Sequence, residues 1–391
     1  MPRKIRLLTF LSNFNIGGTE KQVLYLLQNL DPERFDLHVA CLKRYGPLLN
    51  LVEASGLPLS EYRIESFWKY ATIRQQLRFA HYIRRHQIDI VHSYGFYTNM
   101  FAIPAARLAA APLTVASIRD TGAYLTEVQK RAQRMACLMT NHILVNAEAV
   151  KRWLVDTGYR GDKITVIRNG IVLFNPPAPN TRHAVRREFG IPLDAPVVGV
   201  HSRLSPVKGI DYLLQAARAI LARFPETRFL IIGDDGLHNT YKQVLEDQAS
   251  FLGIRESVIF TGFRLDVPAL LSAVDISVLP SLTEGLSNSL LESMAASRPV
   301  VATRVGGNLE IVDEGRSGLL VPPKDPAAIA QAICRLIADP NLARSFGQAG
   351  RERVLSMFSM TRSAQETERF YLDLVESARL IKPRMRREKV A

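Results

Sequence analysis

Short apolar runs alternate with longer amphipathic segments along the whole chain. Runs of this length are typical of strands that are buried on both faces of a sheet, and they occur in two successive sets. The first set predicts strands at Ile5–Leu11, Phe35–Leu42, Ile88–His92, Leu113–Ile118, His142–Val145 and Ile164–Arg168. The second set predicts strands at Val197–His201, Arg228–Gly233, Val258–Thr261, Ile276–Leu279, Val300–Thr303 and Gly318–Val321.

Between these runs the apolar positions recur with the spacing of a helix. The clearest predicted helices are Thr19–Leu30, Ile73–His86, Gly209–Arg223, Asn239–Phe251, Ser287–Ala296 and Ala327–Ala338. Strands that alternate with helices of about 10–15 residues indicate parallel sheets covered by helices on both faces. The pattern therefore predicts an α/β protein with two doubly wound parallel-sheet domains.

The two sets of elements place the domains at residues 1–175 and 184–357. The proline-rich segment between them predicts a linker near residues 172–183, and its prolines are Pro176, Pro177 and Pro179. We expect the two domains to face each other across a cleft lined by the carboxyl ends of both sheets, which is where open α/β sheets bind ligands.

The end of the chain carries one more amphipathic segment, Thr361–Glu376. It predicts a C-terminal helix within residues 358–380. We expect this helix to pack back on the first domain.

Composition fits an ordinary globular protein, but its charge is unevenly distributed. Of the 391 residues 47% are hydrophobic, which is ample for two cores. Residues 1–178 carry 23 Lys and Arg against 13 Asp and Glu, or +10. Residues 179–380 carry 22 against 23, or −1, and residues 381–391 carry 5 against 1, or +4.

A basic surface of this kind suits nucleic acid, an anionic membrane or an anionic substrate, or it is simply solvated. The sequence contains no helix-turn-helix, zinc-finger or aromatic RNA-reading motif, so we do not expect nucleic acid. No apolar run approaches the ~18 residues that a membrane span requires. Cys41, Cys137 and Cys334 are far apart in apolar surroundings, and we expect buried free thiols in a cytoplasmic protein.

Two motifs at predicted strand ends are suited to phosphate. Gly17 and Gly18 join the first strand to the first helix, whose free N–H groups can face an anion. In "SRLSPVKG", Arg203 and Lys208 flank a short loop before a helix and could hold a diphosphate. A plain turn and two solvated surface cations are the alternatives for these motifs taken singly.

The segment "PSLTEGLSNSLLES" holds two carboxylates, Glu284 in a loop and Glu292 in the following helix. This placement suits acids that accept hydrogen bonds from hydroxyls at opposite ends of one elongated ligand. A ligand with hydroxyls at both ends and a diphosphate between them is a nucleotide sugar. The alternatives are a helix cap for Glu284 and a solvated helix position for Glu292.

Taken together, these motifs resemble the retaining GT-B glycosyltransferases of family 4 over nearly the whole chain. The resemblance rests on the paired glycines, on Glu284 and Glu292 in an E-x7-E pattern, and on several further segments. These segments are "DIVHSYG", "VIRNGI", "SRLSPVKG", "IIGDDG" and "VGGNLEIVDEGRSGLLVPP".

The resemblance implies roles for individual residues in donor binding. Glu284 would contact the donor sugar, and Glu292 would contact the ribose of the nucleotide. Arg203 and Lys208 would stabilise the departing diphosphate, with Glu284 counted among the catalytic residues. Further implied donor contacts are Gly17, Gly18, Gly285, Leu286, Ser287 and Asn288, with backbone N–H groups from Gly306, Gly307, Asn308 and Leu309. The resemblance also implies that no metal is needed, and the sequence contains no DxD motif.

The sequence departs from the family pattern in three places. Ser202 and the pair Ser297–Arg298 stand where many members carry glycine, and Arg119–Asp120 stands near the position of a common acceptor-side histidine. His92, Arg119 and Asp120 are therefore the acceptor-side candidates.

The expected activity is transfer of a hexose or N-acetylhexosamine from an NDP-sugar to an acceptor hydroxyl with retention. We expect a glycan or lipid-linked acceptor, as in the synthesis of polysaccharide precursors, and docking on the anionic inner face of a membrane. The alternatives are a nucleotide-sugar epimerase of the same architecture and a non-catalytic nucleotide-sugar-binding module. The sequence gives no indication of the oligomeric state.

Overall fold

The computed structural model describes residues 3–67, 69–173, 178, 180–236 and 240–388, with side chains to residue 378. These residues form two compact units. The first comprises Met1–Gly170 and Met360–Ala391, and the second comprises Ile171–Ser359. Of the predicted linker, Pro176, Pro177 and Pro179 lie outside the described residues, whereas a helix already begins at Thr181. Asn239, the predicted start of another helix, also lies outside them.

Within the described residues, the first unit contains a sheet of seven strands, all parallel. The strands are β1 (Ile5–Leu11), β2 (Phe35–Cys41), β3 (Leu59–Glu61), β4 (Ile90–Tyr94), β5 (Leu113–Ile118), β6 (His142–Val145) and β7 (Ile164–Val166). Its helices are α1 (Gly18–Asn29), α2 (Leu49–Ala54), α3 (Tyr70–Arg85), α4 (Phe96–Leu108), α5 (Glu127–Leu138) and α6 (Glu148–Asp156). The strand order is β3-β2-β1-β4-β5-β6-β7, so the winding reverses between β1 and β4.

The second unit, over its described residues, contains a sheet of six parallel strands. They are β8 (Val197–His201), β9 (Arg228–Ile232), β10 (Val258–Gly262), β11 (Ile276–Leu279), β12 (Val300–Thr303) and β13 (Gly318–Val321). The helices are α7 (Thr181–Glu188), α8 (Ile210–Arg223), α9 (Thr240–Phe251), α10 (Val267–Ala273), α11 (Asn288–Ala295), α12 (Asn308–Ile311), α13 (Pro326–Ala338) and α14 (Pro340–Met357). The order β10-β9-β8-β11-β12-β13 is that of a dinucleotide-binding fold, with its switch point between β8 and β11.

The last helix, α15 (Met360–Glu388), belongs to the first unit. Phe370, Tyr371 and Leu374 are buried in the same cluster as Leu7 and Val115 of the sheet. The hydroxyl of Ser363 also donates a hydrogen bond to the carbonyl of Arg168 at 2.8 Å. These apolar side chains of α15 are therefore buried against the N-terminal sheet.

The cores follow the periodicity of the sequence. β4 and β5 are buried at every position and β1 at all but one, as expected for strands covered on both faces. The three cysteines are buried and free, as predicted. Among the helices that the structure describes, none has both the length and the apolar character needed to cross a bilayer.

Candidate functional site

Most of the candidate donor residues lie at the carboxyl edge of the second sheet. β8 ends at His201 and β11 ends at Leu279, and these neighbouring strands flank the switch point. The loop after β8 carries Arg203 and Lys208, and the loop after β11 carries Glu284. The topology therefore brings segments that are far apart in sequence to one place.

Lys208 and Glu284 form a mostly buried ion pair. The ammonium of Lys208 lies 2.6 Å from Oε1 of Glu284, and the two side chains are only 20% and 9% exposed. Oε1 also accepts a hydrogen bond from the hydroxyl of Ser281 at 2.7 Å. An ion pair at this depth is held in one geometry, because losing either partner would leave the other largely desolvated and unpaired.

The backbones of the two loops are joined directly. The amide of Leu282 donates to the carbonyl of Val207 at 2.8 Å. Gly209, which follows Lys208, has φ +64°, and a Cβ at this position would lie 2.1 Å from the carbonyl oxygen of Pro280. Only glycine allows this approach, so the "KG" of the motif sets the distance between the loops.

A third loop, after β12, presses against Glu284 from another side. The amide of Gly307 donates to the carbonyl of Gly285 at 2.7 Å. Gly306 has φ +49°, and a Cβ there would lie 1.9 Å from the carbonyl oxygen of Glu284. The hydroxyl of Thr303 donates to the carbonyl of Ser281 at 2.6 Å. The backbone around Glu284 is therefore fixed by the glycine pair and by a buried threonine.

Glu292 lies one turn into α11, next to the end of β8. Its Oε2 is 3.3 Å from Nδ1 of His201, and the two side chains are about one-fifth exposed. The helix is capped by Ser287, whose hydroxyl accepts from the amide of Leu290 at 3.3 Å. Glu284 and Glu292 thus lie on either side of the N-terminus of α11, each beside a basic side chain.

The remaining donor candidates occupy the same edge. Arg203 follows β8 and is exposed, while Leu286 and Ser287 are buried. Asn308 is buried and donates from Nδ2 to the carbonyl of Thr303 at 3.1 Å, whereas Leu309 is exposed. His201 was not predicted as a site residue, although it stands directly before Ser202 in the motif that contains Arg203.

In the first unit, Gly17 caps α1 and Gly18 begins it. A Cβ at Gly17 would lie 2.2 Å from Oε2 of Glu20, so the glycine makes room for this carboxylate to fold back over the helix start. Burial raises the pKa of Glu20, and the nearby charge of Arg119 opposes that effect. Glu20 was not predicted as a site residue, although it lies within the "GGTE" segment.

His92 is fully buried and hydrogen-bonded at both ring nitrogens. Nδ1 lies 2.6 Å from the hydroxyl of Tyr371 and 3.1 Å from that of Tyr94, and Nε2 lies 2.9 Å from the hydroxyl of Ser117. Burial lowers the pKa of His92 well below its usual value, and the charge of Arg119 adds to this effect. The structure places His92 inside the unit as a neutral hydrogen-bonding centre.

Arg119 and Asp120 stand at the carboxyl end of β5. Arg119 donates to the side-chain oxygen of Asn169, and its guanidinium lies 6.0 Å from the centre of the Tyr94 ring. Burial lowers the pKa of Arg119. Asp120 is exposed and accepts from the amide of Gly122 at 2.7 Å, which is a local turn contact.

Asn169 is the partner that sequence analysis did not identify, although it belongs to the quoted segment "VIRNGI". The next residue, Gly170, is held by Gln22, whose amide group donates to its carbonyl at 2.5 Å and accepts from its N–H at 3.0 Å. This contact fixes the end of the segment against α1. Arg119, Asn169 and Glu20 are thereby brought to the same edge of the first sheet.

Comparisons with known proteins agree with the division of the chain into two units. The model described as "Glycosyltransferase Family 4" matches residues 16–173, and the model described as "Glycosyl transferases group 1" matches residues 195–339. The D-inositol 3-phosphate glycosyltransferase of Corynebacterium urealyticum is 32% identical over 280 residues, which is 66% of each chain. The chain belongs to glycosyltransferase family 4.

Two other similar proteins can be aligned with a larger part of this family 4 chain. The UDP-Gal:alpha-D-GlcNAc-diphosphoundecaprenol alpha-1,3-galactosyltransferase of Escherichia coli is 24% identical over 374 residues, covering 92% of this chain and 95% of that one. The solved structure of HepE from Anabaena in complex with UDP-glucose has a TM-score of 0.85 at 21% identity, covering 94% of this chain and 100% of that one. The fold is thus GT-B, with two Rossmann-like domains, as predicted.

Proposed function

We propose that the protein transfers a hexose or N-acetylhexosamine from an NDP-sugar to an acceptor hydroxyl with retention of anomeric configuration. The observation that carries this proposal is the Lys208–Glu284 pair, held by three loops at the switch point of the second sheet. A cation and a carboxylate in contact can bind a phosphate and a sugar hydroxyl that are neighbours in one ligand. A nucleotide sugar presents these two groups side by side.

In this proposal Glu284 accepts hydrogen bonds from the donor sugar, and Glu292 accepts them from the ribose. Lys208, Arg203 and the amides of the Gly306–Leu309 segment face the diphosphate. The cations stabilise the negative charge that grows on the diphosphate as the glycosidic bond breaks, and this differential effect is what lowers the barrier.

Retention is proposed to occur by attack on the same face of the sugar. The bond between the anomeric carbon and the diphosphate oxygen breaks, and the acceptor oxygen bonds to that carbon on the face that the diphosphate leaves. The acceptor proton passes to a phosphate oxygen of the departing diphosphate. Proton and carbon NMR of the product, compared with the α-linked donor, would show the configuration directly; an inverted product would rule this step out.

We propose a UDP-sugar as the donor. Two of the similar proteins support this choice, because one is named for a UDP-galactose donor and another was solved with UDP-glucose. Since Lys208 and Arg203 supply positive charge at the diphosphate, we expect transfer to proceed in the presence of a metal chelator. A dependence on added Mg²⁺ or Mn²⁺ would contradict this expectation.

For the acceptor we propose a lipid-linked or polysaccharide precursor, met at the anionic inner face of a membrane. The +10 charge of residues 1–178 supports this location, since anionic lipids attract such a surface. The names of two relatives, which refer to inositol 3-phosphate and to diphosphoundecaprenol, support a phosphorylated acceptor. Arg119, with Asn169 and Glu20, forms the group that we place on the acceptor side.

A panel of UDP-, GDP- and ADP-sugars in thermal shift tests the donor. Ligands that bind the folded state raise the melting temperature by mass action. We expect a rise with UDP and UDP-sugars, and slow hydrolysis of the donor when no acceptor is present. An epimerase would instead interconvert the sugar, and a binding module would leave the donor intact.

A further inference from the structure

Helix α3 presents an outer face of large apolar and basic side chains. Its buried side, which includes Phe79, Ala80 and Ile83, packs against the core of the first unit, to which the helix itself belongs. The opposite side is exposed from the first turn to the last, and it carries large apolar side chains as well as cations. Exposed apolar side chains grouped on one face need an explanation, whereas scattered ones do not.

The apolar residues form one strip of this face. Tyr70, Ile73 and Leu77 are 78%, 53% and 52% exposed. At 3.6 residues per turn, positions i, i+3 and i+7 lie on one side of a helix. Arg84, two turns after Leu77, donates to the carbonyl of Leu108 at the end of α4, and the side chain of Leu108 is also exposed.

Three arginines and one histidine form a second strip beside the first. Arg74, Arg78, His81 and Arg85 follow at positions i, i+4, i+7 and i+11. They line a groove of about 540 Å³ between α3 and the edge strand β3, to which Leu77 and the carboxylate of Glu61 also contribute. α3 contains no Asp or Glu, so its outer face carries charge of one sign only.

We propose that the outer face of α3 binds the surface of an anionic lipid bilayer, lying parallel to it. Tyr70, Ile73 and Leu77 enter the boundary between headgroups and acyl chains, and the cationic strip contacts the lipid phosphates. A helix of large apolar and cationic side chains placed side by side is suited to this position. The identification of the membrane with the site of the acceptor rests on the proposed function.

A bilayer is the occupant that satisfies both strips together. A soluble polyanion would neutralise the cations and leave the apolar strip in water. An apolar protein surface would cover the strip and desolvate the cations without compensation. The surplus of +10 in residues 1–178 adds long-range attraction toward anionic lipid.

The experiment is vesicle sedimentation of the purified full chain without donor or acceptor. Vesicles of phosphatidylcholine alone are compared with vesicles that also contain phosphatidylglycerol. We expect binding to the anionic vesicles only, and a steep decrease with added salt because the charges are exposed. Equal binding to neutral vesicles, or binding to neither, would overturn the proposal.

Two variants locate the surface. Arg74→Gln/Arg78→Gln should weaken binding to anionic vesicles on the order of tenfold or more, since each cation near the surface contributes substantially. Ile73→Ser/Leu77→Ser should also weaken binding, and what remains should be lost at high salt. The matched control is Lys4→Gln/Arg152→Gln, which removes the same charge from exposed positions before β1 and on α6 of the same unit.

The control variant should bind like the unaltered protein. If it loses binding as much as the α3 variants do, the effect comes from net charge and the assignment to α3 is wrong. UDP binding by each variant, measured without vesicles, should be unchanged. This measurement separates the two proposals. A variant that loses vesicle binding but still binds UDP tests the membrane surface on α3 alone. Failure of the unaltered protein to bind UDP would contradict the proposed donor and leave the membrane surface to be judged by the vesicles.

Discussion

The ammonium of Lys208 contacts Oε1 of Glu284 at 2.6 Å, although the two residues are 76 positions apart in the chain. β8 and β11 are neighbours in the sheet, and the loops that follow them carry this pair. A charge pair of this kind is costly to build, because both groups lose most of their water. Its presence at the switch point of a parallel sheet is the strongest local indication of a ligand site.

The first prediction concerns this pair. Lys208→Met and Glu284→Gln should each reduce kcat/KM for transfer by about 10²–10³, the range for a lost electrostatic contact in a transition state. The double variant should lose little more, since groups that act as a unit are not additive. Steady-state kinetics of the four proteins measures this directly.

The same four proteins also report on stability. Lys208→Met leaves the Glu284 carboxylate with little solvent and no cation, so it should unfold more readily than the double variant. Lys324→Met, at an exposed lysine of the same unit, should change neither kcat/KM nor the free energy of unfolding. Full transfer activity in Glu284→Gln would refute the role assigned to Glu284.

The second prediction concerns Gly306. In Gly306→Ala, the added methyl group would lie 1.9 Å from the carbonyl oxygen of Glu284. Residue 306 also has a φ of +49°, which disfavours any side chain. The Glu284 loop must therefore shift, and a displacement of about 1 Å in a catalytic group can cost on the order of 10² in rate. We expect loss of transfer together with a lowered melting temperature.

Gly315→Ala is the matched control for that change. Gly315 also has positive φ, at +74°, but no atom lies within 4 Å of the position of its added Cβ. It should lose about 1 kcal/mol of stability through backbone strain and keep its transfer activity. Equal activities in the two alanine variants would show that the Gly306 contact does not position Glu284.

Much of the fold could be predicted from the sequence, because strands and helices follow from local apolar spacing. The donor motifs could also be placed, since glycines and charged residues after β8 and β11 must meet at one sheet edge. The contact between Lys208 and Glu284 could not be predicted, because nothing in the local sequence indicates it. A contact of this kind depends on loop conformations that the whole unit determines.

Long-range burial was equally inaccessible from sequence. His92 is neutral and enclosed because the folded unit brings Tyr371, which is 279 positions away in the chain, to its Nδ1 atom. The helical spacing of residues 73–86 predicted α3 correctly, yet it could not show that Ile73 and Leu77 face outward. The spacing of apolar residues shows that a helix has an apolar side. Which of those residues are buried depends on how the helix packs against the rest of the unit.

The third prediction concerns Ser297, which stands where many family members carry glycine. Ser297 has φ +57°, a left-handed conformation that costs a non-glycine residue about 1 kcal/mol. Ser297→Gly should therefore stabilise the protein by up to about 1 kcal/mol, measured by urea unfolding. Ser250→Gly, within helix α9, should have the opposite sign.

The turn at Ser297 packs closely against α14. A Cβ at Gly347 of α14 would lie 2.2 Å from the carbonyl oxygen of Ser297, so the helix and the turn are in close contact. Transfer activity should be unchanged in Ser297→Gly, because the turn follows the last residue of α11 whereas the side chain of Glu292 lies beside His201. A destabilised Ser297→Gly would mean that the serine side chain contributes more than the strain costs.

The last prediction concerns the pH dependence of stability. Because burial holds the pKa of His92 well below 6.5, the folded state keeps this residue neutral where the unfolded chain takes up a proton. As the pH falls below 6.5, the unfolded state is therefore favoured by up to about 1.4 kcal/mol per pH unit until the native pKa is reached. The stabilising effect is complete above pH 6.5 and is lost on acidification.

His92→Gln tests this linkage through the slope of the unfolding free energy rather than its absolute value. The variant loses the hydrogen bond to Tyr371 and should be less stable at neutral pH, but its unfolding free energy should fall less steeply between about pH 6.5 and 5. His81→Gln, at an exposed position of α3, serves as the control. If His92→Gln and the unaltered protein have the same slope, His92 is protonated in the folded state and the buried neutral network around it is wrongly assigned.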